Sequence, residues 1–326
     1  MQNSTLSDIK GIIETKNNIL IVSHYSPDGD AIGSSLALSD FLDSIGKKSF
    51  IYNRDQIPNY LDFLDYKNFY NTTEAFPQDF DLLILLDLND FERTGEDMES
   101  YINSNFVNDK KSIVVIDHHE NPTINNANLH IDTDAASTGI LVYRLIKKFN
   151  KKINSKVATS LLTTVITDTS SFKNSNSNTE SFMVSAELME IGAELDLINS
   201  RIFANEEIKK LQLKTKIFST LKFEQEIRTA ICFSTTMFYE ETNTTKDHSA
   251  GIANSLISYS NVEIGIFIRE IEQNKWKTSL RTNNYCDLAS FANKFGGGGH
   301  KNAAGFTFNG ELELLIKKII SELKHG

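Results

Sequence analysis

The sequence predicts an α/β protein, with a parallel sheet in its N-terminal part and a smaller α/β domain after it. Two near-continuous apolar runs, Phe80-Asp-Leu-Leu-Ile-Leu-Leu-Asp87 and Ser112-Ile-Val-Val-Ile-Asp117, read as strands buried on both faces, the signature of a parallel sheet. Strands alternate with helix-spaced apolar stripes, as βαβ units require. At 326 residues the chain exceeds one ordinary core and suits two domains.

Taken in order, residues 7–16 form a first helix with Ile9, Ile12 and Ile13 on one stripe. A strand at 19–24 leads into an amphipathic helix over 31–45, which Gly46 closes. Residues 49–52 make a second strand, and 58–80 a mixture of short helices and loops. After the two buried strands come helices at 138–149 and 155–167, a polar loop at 173–179, and a helix at 179–191 capped by Gly192. Residues 195–218 read as charged helix joining the domains. The second half holds strands within 221–233 and at 262–271 and 275–281, and helices at 250–257, 286–295 and 311–323. The expected boundaries are therefore 1–192 for the metal-binding domain, 193–220 for a helical connector and 221–326 for the second domain.

Hydrophobic residues make up 40% and charged residues 23%, the composition of a soluble globular chain. No apolar run approaches the length of a membrane span, and the N-terminus lacks a basic segment followed by an apolar core. Cys232 and Cys286 provide neither a disulfide framework nor zinc spacing and fit a reducing cytoplasm. A net charge of −10 argues against long duplex nucleic acid, which needs a basic face. It leaves room for a small phosphate-bearing partner held by a few local cations. A homodimer is an assembly open to such a chain.

Four places end an apolar segment with acidic or imidazole groups. They are His24/Asp28/Asp30, Asp87, Asp117-His118-His119, and Asp168 after the helix at 155–167. The first three follow strands of one parallel sheet, whose carboxyl ends converge on a crevice. Each has a simpler structural reading. Asp28, Asp30 and Asp87 can cap helices or turns, His118 and His119 can be a surface pair, and Asp168 can bond Ser170 or Ser171 in a turn. One centre holding two Mn²⁺-like ions accounts for all four places together, and two such ions clamp the oxygens of a phosphoryl displacement. The run Gly296-Gly297-Gly298-Gly299 reads as a loop whose bare backbone can approach an anion. His300 and Lys301 follow it, and Arg281 ends the strand before the 286–295 helix.

Together these motifs resemble the DHH phosphoesterases, with Arg281 and the 296–300 segment resembling the associated DHHA1 domain. The likeness spans about residues 15–305, and the compact length is similar to the branch acting on very short RNA (nanoRNA) and 3′-phosphoadenosine-5′-phosphate. The resemblance implies that His24, Asp28 and Asp87 hold one Mn²⁺, and that Asp30, Asp87, His118 and Asp168 hold the other. Asp117 would orient a ligand histidine, and His119 would face the scissile phosphate. Arg281, His300 and the four glycines would grip the substrate across a cleft between the domains. Two departures stand out: Ser170, where relatives often have glycine, and Tyr25-Ser26 between His24 and Pro27. The alternatives are cyclic dinucleotides or their linear products as substrates, and a catalytically silent nucleotide-binding regulator. The ligand set is intact, which disfavours the regulator.

Overall fold

The computed structural model describes residues 3–108, 111–283 and 285–325. It divides into two compact units, Met1–Asn205 and Glu206–Gly326. In the first unit, α1 (Leu6–Glu14) precedes β1 (Asn18–Val22), and α2 (Gly29–Ser44) leads to β2 (Lys48–Tyr52). Then come β3 (Phe69–Tyr70), β4 (Leu82–Leu86), α3 (Glu96–Ile102), β5 (Ser112–Asp117) and β6 (Asn128–Ile131). Four helices follow: α4 (Thr138–Lys148), α5 (Ser155–Asp168), α6 (Thr179–Ile191) and α7 (Leu195–Phe203).

The six strands are all parallel, in the order β3-β2-β1-β4-β5-β6. Because alternate strand residues face opposite ways, each apolar run feeds two cores. Ile19, Ile21, Leu82, Ile84, Val114 and Ile116 pack with the core that includes α2, α4 and α5. Leu20, Val22, Leu83, Leu85, Ile113 and Val115 pack with Phe76, Met98 and Phe106 on the other side. β1 and β4 are neighbours, but the chain runs outward from β1 through β2 and β3 on one side, and from β4 through β5 and β6 on the other. Such a reversal of strand order opens a crevice at the carboxyl ends of the two central strands. The helix caps anticipated in sequence are present: Gly46 and Gly192 both adopt positive φ, at 82° and 109°.

The second unit holds α8 (Ile208–Phe218), β7 (Lys222–Glu224), β8 (Thr229–Ser234), α9 (Thr236–Glu241) and α10 (Ile252–Leu256). It continues with β9 (Ile264–Glu272), β10 (Lys275–Thr282), α11 (Leu288–Asn293), β11 (Gly298–His300), β12 (Ala303–Asn309) and α12 (Leu312–His325). Its mixed sheet runs β11-β12-β10-β9-β8-β7, with β8 and β9 the parallel pair. Ile264, Ile266, Ile268, Leu280 and Phe306 on one face pack with apolar residues of α11 and α12. On the other face Cys232 and Phe267 pack under Leu213, Ile217 and Ile252 of α8 and α10. The helical stretch 195–218 is broken at 204–207, with Ile198 buried in the first unit's core and Leu213 and Ile217 in the second's.

The glycine run is the main departure from expectation. Its composition predicts a loop, yet Gly298–His300 is an edge strand paired with β12. A β-carbon on Gly297 would lie 2.2 Å from the Gly305 carbonyl oxygen, and one on Gly299 2.5 Å from that of Ala303. Close backbone approach to β12 is the physical reason for glycine at those positions.

Candidate metal centre

β1 and β4 deliver His24 and Asp87 to their carboxyl ends, and β5 delivers Asp117, His118 and His119. Asp28 is the N-cap of α2, where its side chain accepts from the amides of Asp30 and Ala31 at 3.0 and 3.1 Å. The simple capping reading is thus correct for Asp28, and the same turn also places it within reach of His24 and Asp87. Asp168, the last residue of α5, joins Asp30 and His118 in a second group of donors, and a third group combines Asp87, His118 and His119. Every metal-ligand candidate expected from the sequence therefore lies in one cluster within the first unit.

The imidazoles are held in one orientation. His24 Nδ1 lies 2.8 Å from the Tyr25 carbonyl, and His118 Nδ1 lies 3.2 Å from that of Ala135. A carbonyl only accepts, so each Nδ1 carries the hydrogen and each Nε2 turns a lone pair inward. His24 Nε2 faces Asp87 Oδ2 at 3.3 Å. His118 Nε2 faces Asp87 Oδ1 at 3.7 Å, Asp168 Oδ2 at 3.7 Å and Asp30 Oδ2 at 3.8 Å. Lone pairs converging on carboxylates repel unless a cation or an added ring proton lies between. This donor chemistry, imidazole Nε2 with carboxylate oxygens and a backbone bond fixing each ring, fits divalent transition-metal ions.

Asp30 is fully buried at the N-terminus of α4. Its two oxygens accept the amides of Thr138 and Gly139 at 2.7 and 3.0 Å. Burial, followed by the Asp87 and Asp168 carboxylates, still pushes Asp30 well above the usual carboxylate range. Burial likewise lifts Asp168 to about 6; His118 opposes the rise, and Asp87 and Asp28 add to it. Burial works against charging His24, but its hydrogen bond to Asp87 and that carboxylate's charge raise its pKa. These shifts share one physical origin, an excess of negative charge in a desolvated crevice.

The structure differs from the resemblance-based reading at Asp117. Its Oδ1 accepts the His118 amide at 2.8 Å and lies 2.8 Å from His119 Nδ1, so the ring it orients is that of His119. That bond, opposed by burial, raises the His119 pKa. Asp117 Oδ2 is buried without a hydrogen-bond partner.

Four residues of the site escaped the sequence reading. Thr138 Oγ1 donates to Asp87 Oδ1 at 3.2 Å, and its amide and that of Gly139 hold Asp30. Asn176 Nδ2 donates to Asp168 Oδ2 at 3.1 Å. Arg93 places positive charge beside His24 and His119. Ser137-Thr138-Gly139 before an apolar run is a legible helix start, but nothing in it announces a carboxylate at that terminus.

Arg281, His300 and the four glycines belong to the second unit. Arg281, next to last in β10, lies opposite Ala303, which in turn lies opposite His300 on β11. The three positions therefore share one face of the sheet.

This architecture, a parallel sheet with imidazoles and carboxylates at its switch point and a second mixed-sheet unit, is that of a two-domain phosphoesterase. The DHH family N-terminal domain matches residues 18–167 and the DHHA1 domain residues 230–325. The chain therefore contains a DHH domain followed by a DHHA1 domain. It is 28% identical to the bifunctional oligoribonuclease and PAP phosphatase NrnA of Thermus thermophilus, over 94% of this chain and 89% of that protein. The protein of the same name from Mycoplasma genitalium is 23% identical, over 98% of this chain and 99% of that one. The crystal structure of an exopolyphosphatase-related protein from Bacteroides fragilis superposes with a TM-score of 0.80 at 28% identity, covering 98% of this chain and 95% of that one. Among the described residues, no helix is long and apolar enough to cross a membrane.

Proposed function

We propose that this phosphoesterase hydrolyses short oligoribonucleotides, 3′-phosphoadenosine-5′-phosphate, or both, in the cytoplasm and with two Mn²⁺ ions. The observation that carries the reading is the pair of donor groups, His24/Asp28/Asp87 and Asp30/His118/Asp168, with Asp87 facing both His24 and His118. The relatives from Thermus thermophilus and Mycoplasma genitalium, named for these two activities and aligned over most of their length, support the substrate class.

In this reading His24, Asp28 and Asp87 hold one ion, and Asp30, Asp87, His118 and Asp168 the other. Divalent cations bound there would neutralise the carboxylates, lower the pKa of water and stabilise charge on the phosphoryl oxygens. Thr138 fixes the shared carboxylate through its hydroxyl. Asp117 holds His119 by Nδ1, leaves the ring half-exposed and favours its charged form, so that Nε2–H can donate to a phosphoryl oxygen. Arg93 adds positive charge on the same side. Arg281, His300 and the backbone of Gly296, Gly297, Gly298 and Gly299 hold substrate phosphates.

Asp87→Ala is expected to keep the far-UV circular dichroism of the wild type and lose at least about 10³-fold in Mn²⁺-dependent cleavage of a diribonucleotide. Near-normal turnover would overturn the mechanism. Parallel assays on a short oligoribonucleotide, 3′-phosphoadenosine-5′-phosphate, and cyclic and linear dinucleotides identify the preferred substrate.

A further inference from the structure

We infer that the second unit carries a further phosphate subsite, formed by Arg269 and Lys277, which takes a backbone phosphate of an oligoribonucleotide beyond the one held by Arg281. The inference rests on the substrate class proposed above and adds how substrate length is sensed. Arg269 on β9 lies directly opposite Lys277 on β10, and four residues further along β10 is Arg281 on the same face. Successive strand residues rise about 3.3 Å, so the two positions stand roughly 13 Å apart along the strand.

Three observations point to an anion there. Like charges directly opposite on an antiparallel pair destabilise the sheet, and none of Arg269, Lys277 or Arg281 has a carboxylate within salt-bridge distance among the described residues. All three line one cavity of about 430 Å³, together with Ser279, Phe267 and a further cation, Lys246. One carboxylate, Asp247, also lines it. Finally, α11 and α12 cover the opposite face; on this face α10 packs over Phe267, while Lys277 is exposed and Ser279, with Gly305 opposite it, keeps the strip between Lys277 and Arg281 free of large side chains. Cations at both ends of such a strip suit a sugar–phosphate chain that passes from one to the other. A mononucleotide is too short to span them.

The test is binding of fluorescein-labelled di- and pentaribonucleotides to the metal-free, full-length protein, read by anisotropy across a salt series. Combined Arg269→Ala and Lys277→Ala is expected to weaken pentamer binding at least tenfold and dimer binding less than twofold. It should also reduce the salt slope of log K for the pentamer by about 1. The charge-preserving pair Arg269→Lys and Lys277→Arg should retain pentamer affinity, and Lys317→Ala on α12 should change neither. Equal loss for both lengths, an unchanged pentamer affinity, or no pentamer binding by the wild type would overturn the subsite. Because binding is read without turnover, the two proposals fail separately. A wild type that binds in this way but hydrolyses no nucleotide refutes the catalytic reading alone. A wild type that hydrolyses RNA, with a double variant that binds the pentamer normally, refutes the subsite alone.

Discussion

Asp87 occupies the left-handed region at φ 61°, which aspartate tolerates better than most side chains, and the turn aims its carboxylate back over the sheet. Its hydroxyl partner supplies a sensitive test. Thr138→Val removes the donor to Asp87 while keeping the backbone amide on Asp30, and is expected to lower Mn²⁺ affinity about 10- to 100-fold by isothermal titration, as such supporting contacts do. Asp168 offers a second test through pH. Its folded pKa is raised to about 6 from an ordinary 3.8, so the folded state binds more protons than the unfolded state between those values. Stability of the metal-free protein should therefore fall as pH rises through that window. Asp168→Asn should raise the metal-free melting temperature more at pH 8 than at pH 4.5, and an equal gain at both would refute the assignment. The ligand candidates were legible because four separate places put acidic or imidazole groups at or just after the end of an apolar segment. One centre accounts for all of them, where caps and turns account for each singly. Thr138, Gly139, Asn176 and Arg93 were not, since they act through backbone amides, a hydroxyl, a carboxamide and a neighbouring charge rather than as ligands. Ser170 and the second residue of the Tyr25-Ser26 pair, at the two departures from the family pattern, adopt positive φ, at 48° and 51°, where glycine would be unstrained.

At the scale of elements, the site depends on helices packed closely enough to bring α4's first turn onto Asp30. Gly139 makes that approach: a β-carbon there would sit 1.9 Å from Thr164 Oγ1 on α5. Gly139→Ala is expected to cost about 1–3 kcal/mol in urea unfolding, because the buried contact cannot yield without shifting α4 or α5. Pairing it with Thr164→Ala, which removes both the hydroxyl and the methyl that the new β-carbon would meet, should recover part of that loss. The long buried strands and amphipathic helices were readable from period and caps. The short β3 and β6 were not, since a few residues with alternating polar positions, such as Asn128 and His130, resemble a loop. β12 was missed for a different reason. Its apolar alternation at Ala304, Phe306 and Phe308 sits directly behind the glycine run, whose composition suggested a loop.

For the molecule as a whole, length indicated two domains, but not the place where one core gives way to the next. The contact boundary falls at Asn205/Glu206, inside the stretch that helical periodicity made look continuous. Each unit has its own sheet and buried clusters. Residues 206–326, expressed alone, are expected to fold cooperatively, with a sigmoidal thermal transition and dispersed amide resonances. A collapsed spectrum would show that the second unit needs the first. The chain's net charge of −10 excluded a broad basic surface, yet it hid the local cations at Arg269, Lys277 and Arg281. Net charge reports a sum, whereas a short anion responds to arrangement.

The split geometry of Asp87 has a thermodynamic consequence. One oxygen faces His24 and the other faces His118, so a single rotamer serves both donor groups. Uptake of a cation by either group restricts that rotamer for the other, and such linkage is reciprocal. The two groups should therefore fill as a coupled pair, so that impairing one, as with Asp28→Asn, would also weaken loading of the other, to which Asp28 does not belong.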